Sequence, residues 1–197
     1  MYKSIYQPMY KLILPLIVLS FLQGCVGVAA VAVVTGANVA ADNRTIGKLI
    51  DDEGIELKAS TALSKVEALK EQTNIHVTSI NGAVLIVGQA PSSHLRDLAV
   101  KTINQIDGVV KIHNQIRLGN TISFATKTND AWITSKVKTA LLSSDELDGV
   151  TIKVVTENAE VFLMGLVSEK TGNQAVDIAR NIGGVNRVLK AFEYQEE

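Results

Sequence analysis

The chain repeats itself, and that repeat limits its possible folds more than any other feature. Ile55–Leu63 reads IELKASTAL and Ile133–Leu141 reads ITSKVKTAL, so Lys58, Thr61, Ala62 and Leu63 recur as Lys136, Thr139, Ala140 and Leu141. Further along, Ala83–Gly88 (AVLIVG) answers Glu160–Gly165 (EVFLMG), and Ile106–Val109 (IDGV) answers Ile182–Val185 (IGGV). The spacing between partners shortens by one residue at each step, the mark of a duplicated and diverged domain rather than of low complexity. A fold for this chain must therefore be one small unit built twice. A unit of about 65 residues is near the lower limit for a self-sufficient core, so the copies are expected to pack on each other or on the segment joining them.

Each copy reads locally as α-β-β-α-β. Ile55, Ala59, Ala62, Leu63 and Val66 keep helical spacing, as do Ile133, Val137, Ala140 and Leu141. Ile75–Ser79 alternates as a strand, Asn81-Gly82 is a tight-turn signal, and Val84–Val87 is a second strand ended by Gly88. Ser92 or Ser93 caps the next helix, Gly108 ends it, and Val109–Leu118 is the third strand. A strand returning after a helix joins its sheet in parallel. The expected class is α+β: two tandem domains, each with two helices on a three-stranded mixed sheet. The expected limits are 47–119 and 129–197, joined by a linker at 120–128. Gly88 and Gly165 recur at the ends of matched strands, which points to positive φ or close backbone approach.

Ahead of the repeat lies an export signal. Lys3 and Lys11 sit in a stretch without acids, an apolar run follows from Leu12 to Leu22, and then come Gln23, Gly24 and Cys25. The run is too short to span a bilayer, which takes about 20 apolar residues. The rival reading, a membrane helix continuing through Val26–Ala41, is interrupted by Pro15, Gly24, Gly27 and Gly36. Leu22-x-Gly24-Cys25 resembles the lipobox of bacterial lipoproteins, although Gln23 is polar where a small residue is usual. That resemblance implies cleavage after residue 24, a diacylglycerol on the Cys25 thiol and an acyl group on its new amine. It also implies sorting to the outer membrane, because Val26 is not the Asp that favours inner-membrane retention. Residues 25–46 are expected to be the acylated N-terminus and a tether.

The repeated unit resembles the BON domain of bacterial envelope proteins. The residues that carry the resemblance are the strand-ending Gly88 and Gly165 and the pairs Gly108-Val109 and Gly184-Val185 opening the last strand of each copy. The resemblance implies a periplasm-facing, non-enzymatic outer-membrane protein that binds anionic phospholipid and supports envelope integrity.

Composition excludes other classes. With 19 Lys+Arg against 20 Asp+Glu, the chain has no basic excess for a nucleic-acid partner. Its single Cys excludes an internal disulfide and any cysteine-cluster metal site. His76, His94 and His113 have no metal-ligand spacing and are expected to face solvent. Asp51, Asp52 and Glu53 suit a helix N-terminus electrostatically. No nucleophile set and no phosphate loop occurs, so no catalytic residue, cofactor or metal is expected.

Trp132 is the informative side chain. If Ile133, Val137, Ala140 and Leu141 face inward, Trp132 lies more than about 100° from the centre of that face. It shares the outer side with Ser135 and Thr139, with Lys136 at the flank. The other copy has Gly54 at this position, so the fold itself does not need an indole there. One reading packs Trp132 against the other copy or the linker. The other makes Trp132, Ser135, Lys136 and Thr139 a contact surface for anionic phospholipid. The second reading faces an overall excess of acids from Asp130 onward, so the lipid would meet a local basic edge. The rival class is an adaptor or chaperone-like module for envelope proteins, with Trp132 as its hot spot.

Overall fold

The structure is a computed structural model that describes residues 46–144, 147 and 152–195. The expected signal, Cys25 and most of the tether lie outside the described residues. The elements run α1 (Ile46–Lys65), α2 (Glu67–Gln72), β1 (Asn74–Ile80), β2 (Ala83–Ala90), α3 (Ser93–Asn104) and β3 (Lys111–Leu118). The second copy follows as α4 (Phe124–Leu142), β4 (Lys153–Glu157), β5 (Glu160–Val167), α5 (Glu169–Arg180) and β6 (Arg187–Tyr194). None of the described helices is long and apolar enough to cross a membrane.

The duplicated α-β-β-α-β order is as the sequence dictates, with three differences. β2 and β5 run two residues past Gly88 and Gly165, which were expected to end them. A short extra helix, α2, follows Val66, whose extended backbone ends α1 and whose C=O accepts the N–H groups of Leu69 and Lys70. Helix α4 begins at Phe124, inside the stretch expected to be linker. The Ser123 hydroxyl caps it, accepting the Thr126 N–H at 3.1 Å. Ser92 and Ser168 cap α3 and α5 in the same way. Gly172 sits inside α5 because a Cβ there would come within 3.2 Å of the Phe192 ring.

The two sheets have orders β1-β2-β3 and β4-β5-β6, and in each the first pair is antiparallel and the second parallel. Each sheet turns one face to its own helices. Ile55, Ala59, Leu63, Val84, Ile86 and Ile103 close that core in the first copy, and Ile133, Val137, Leu141, Val161, Leu163 and Ala179 close it in the second. The opposite faces pack on each other. Ile80, Leu85 and Val87 meet Phe162, Met164 and Ala191 in a third core between the sheets. This is why all eight residues of β2 are buried: a central strand covered on both sides loses the polar alternation of a one-sided strand. Burying side chains the size of Phe162 and Met164 contributes about 1.5–3 kcal/mol each, so the copies supply each other with the core that neither is large enough to complete.

Polar links rim this seam. Asn81 Nδ2 donates to Glu193 at 3.0 Å, Lys153 Nζ to Glu56 at 3.0 Å, Lys127 Nζ to Asn74 Oδ1 at 2.8 Å and Gln89 Nε2 to the buried Glu157. Arg117 and Arg187 converge on Glu160 from the two copies. Burial alone would raise the Glu160 pKa, but the hydrogen bonds and charges of the two guanidiniums bring it below the ordinary value.

Candidate membrane-contact surface

The surface is built on α4. Ile133, Val137 and Leu141 are fully buried, which fixes the helix's rotation and turns Trp132 outward, where it is 64% exposed. Ser135 and Thr139 are exposed beside it, and Lys136 is half-buried at the flank. The Lys136 ammonium donates to the Gly183 carbonyl and lies 6.0 Å from the indole centroid, at the outer limit of a cation–π contact. The Thr139 hydroxyl donates to the Ser135 carbonyl at 2.9 Å, so it serves its own helix. The expected residues thus share one side of one helix, and the packing of Trp132 into the seam between the copies is excluded by its exposure.

Two further apolar residues join that side. Phe124 is 84% exposed and Leu142 is 62% exposed. At 100° per residue both fall within about 80° of Trp132, giving an outward stripe from the first residue of α4 to its last. Sequence reasoning missed Phe124 because it assigned residues 120–128 to a linker and began the second domain at 129. The spacing of eight residues from Phe124 to Trp132 was the available signal.

The loop before β6 approaches this helix through Gly184. Its φ is +103°, and a Cβ there would come within 3.3 Å of the Ile133 side chain. Gly108 takes the same place in the first copy, with φ +96° and its missing Cβ 3.1 Å from Ile55 Cδ1. The glycine of each Gly-Val pair therefore lets the third-strand loop pass over the first helix. Gly88 is tighter still: its φ is +123°, and a Cβ would sit 1.8 Å from the Asn74 carbonyl oxygen. Gly165 is buried in β5.

Sequence reasoning also missed two buried carboxylates. Asp52 Oδ1 accepts the Ser79 hydroxyl at 2.7 Å and the Gly82 N–H at 2.9 Å, while Oδ2 accepts the Asn81 N–H at 2.8 Å. Asp130 accepts the N–H groups of Asn158 and Ala159, both at 2.8 Å. Each first helix thereby holds the hairpin of its own copy. Asp52 is structural, and the reading of it as one of a run of helix-terminal acids is corrected. The signal was its recurrence as Asp130, three residues ahead of the matched isoleucines.

His76 and His94 are exposed, but His113 is half-buried, because the sheet face it occupies is covered by the other copy rather than by water. Burial and then the Lys111 charge hold its pKa below the ordinary 6.5, against a raising contribution from Glu193. Among the described residues no group of side chains could hold a metal ion.

The family model of the BON domain matches residues 51–120 and again 129–196. The chain is 38% identical over 187 residues to the outer membrane lipoprotein DolP of Haemophilus influenzae, covering 95% of this chain and 97% of that protein. It is 40% identical over 153 residues to a 21 kDa hemolysin of Actinobacillus pleuropneumoniae, covering 78% and 79% of the two. It is 28% identical over 156 residues to the osmotically-inducible protein Y of Escherichia coli, covering 78% and 77%. Two matched domains, facing sheet to sheet, and an identity that runs along nearly the whole chain lead to one conclusion: this is a member of the BON-domain family, a dual-domain protein of the DolP-like kind.

Proposed function

We propose that the chain is a non-enzymatic outer-membrane lipoprotein, anchored through acylated Cys25 and facing the periplasm, whose second domain docks on anionic phospholipid and supports envelope integrity. Its similarity along nearly the whole chain to the outer membrane lipoprotein DolP supports the location. The lipobox-like residues around Cys25 support the anchor, since two or more acyl chains attach a protein stably where one does so marginally. The observation that carries the docking is the exposed Trp132, with the Lys136 ammonium beside its ring and Phe124 and Leu142 along the same helix. Indoles prefer the headgroup region of a bilayer, where the ring is apolar and the N–H is wet. A basic flank adds attraction to anionic lipid that salt screens.

The test titrates a soluble fragment, residues 26–197, with anionic and zwitterionic vesicles. Trp132 is the only tryptophan, so its emission reports the contact directly. A blue shift with anionic vesicles, lost with Lys136→Glu and weakened by salt, is the expected result. An unshifted emission would overturn the docking and leave an adaptor for envelope proteins as the reading. For the anchor, Cys25→Ala is expected to release the chain from the outer-membrane fraction.

A further inference from the structure

We infer that the outer edge of β1 is a docking groove for an extended polypeptide segment, added as an antiparallel strand with its C-terminal carboxylate at Lys70. β1 is an edge strand: β2 lies on one side, and none of the described strands pairs with the other. Ile80 and Ala83 flank a two-residue turn, so Ile80, Thr78, His76 and Asn74 direct their backbone groups to β2. Ser79, Val77 and Ile75 therefore direct theirs outward.

Ser79 shows what that edge accepts. Its N–H donates to Glu56 Oε1 at 2.8 Å, and its carbonyl accepts from Lys153 Nζ at 3.0 Å. One carboxylate oxygen and one ammonium stand where a neighbouring strand would place its carbonyl and its N–H. These side chains imitate one residue of an added strand and stop there. Beyond them the backbone groups of Val77 and Ile75 open into a groove of about 550 Å³, walled by Ser60, Leu63 and Ser64 of α1 and by Leu69 and Lys70 of α2. From Asn74 to Thr78 the edge runs about 17 Å at ~3.4 Å per residue, the length of a five-residue strand. An edge strand beside a helix-walled groove is the geometry of peptide recognition by strand addition, in which main-chain bonds give affinity and alternate side chains give selectivity.

Charge sets the direction. Antiparallel addition is favoured over parallel, and it brings the C-terminus of the segment to the Asn74 end of β1. Two cations stand at that end. Lys127 is held there by Asn74 Oδ1, and Lys70 lines the groove with no ion-pair partner among the described residues. The opposite end is closed by Glu56 and Lys153, which already pair with each other at 3.0 Å. Among the described residues the second copy shows no counterpart of α2, and the groove lined by α1, α2 and β1 belongs to the first domain, whereas Trp132 lies on α4 of the second.

The probe is a fluorescent hexapeptide of alternating valine and threonine with a free C-terminal carboxylate, compared with its amidated twin. Fluorescence polarisation follows binding to the full chain in detergent micelles. The free acid is expected to bind at least fivefold tighter than the amide, and Lys70→Glu, on an exposed helix, is expected to abolish the difference. Val77→Pro removes one outward N–H, a change edge strands tolerate, and is expected to weaken binding at least tenfold. Should Val77→Pro also lower the melting temperature, slowed hydrogen exchange at Ile75 and Val77 in the parent on peptide addition decides instead. Trp132→Ala is expected to leave peptide binding unchanged, which separates this site from the membrane contact. No binding by either twin at millimolar concentration, equal binding by both, or undiminished binding to a folded Val77→Pro would overturn the inference.

Discussion

Asp52 and Asp130 occupy the same place in the two copies, and each turns its carboxylate from the first helix onto the backbone N–H groups of its own hairpin turn. Both are almost fully buried. Removing the Asp130 carboxylate leaves two part-buried N–H donors without an acceptor, and removing that of Asp52 leaves three donors without one; hydrogen bonds to charged groups are worth about 1.5–3 kcal/mol each. Asp130→Ala is expected to lower unfolding free energy by about 2–4 kcal/mol in urea titrations. Asp130→Asn, which retains one acceptor oxygen, is expected to cost less.

The two hairpin turns differ in a way that predicts opposite responses. Asn158 and Ala159 have φ of 50° and 60°, and the matched Asn81 and Gly82 have 52° and 78°. Ala159 is thus a non-glycine residue in left-handed backbone, a strain of about 1–2 kcal/mol. Ala159→Gly is expected to stabilise the chain by about 1 kcal/mol. Gly82→Ala is expected to destabilise it, because its Cβ would lie 2.5 Å from the Gly108 carbonyl oxygen. Paired thermal melts of the two variants check both signs.

Gly88 leaves less room than any turn glycine. A Cβ 1.8 Å from the Asn74 oxygen requires β1 and β2 to part where they are paired. Gly88→Ala is expected to lose more than about 2 kcal/mol, with overpacking and left-handed strain both contributing. Chemical denaturation followed by circular dichroism measures it.

His113 gives the fold a dependence on acid. Its folded pKa lies below 6.5, so protonation is harder in the folded chain than in the unfolded one. Stability is then whole above the unfolded pKa and falls as pH drops below it, until the folded pKa is passed. His113→Gln is expected to flatten the stability curve between about pH 7 and pH 5, read as melting temperature across that range against the parent.

Much of the fold was legible because it is written twice. The matched helix, strand and glycine positions gave the element order, and the Asn81-Gly82 turn gave the first pairing. The orientation of Trp132 followed from the inward residues of its helix. What periodicity could not show was contact across the chain. Asp52 is an ordinary acid at a helix start until the hairpin folds over it. His113 looks solvent-facing until a second sheet covers its strand. Phe124 fell outside the helix because Ser123, a cap, sits in a stretch that reads as linker. Each is decided by a partner distant in sequence, and local spacing carries no record of such partners.

The seam between the sheets has a geometric consequence. With each sheet's inner face spent on the other, the helix layers are left on opposite sides of the body. No flat surface can lie against the outer faces of both layers at once. When the outer face of α4 lies against one, the outer face of α1 is turned the opposite way.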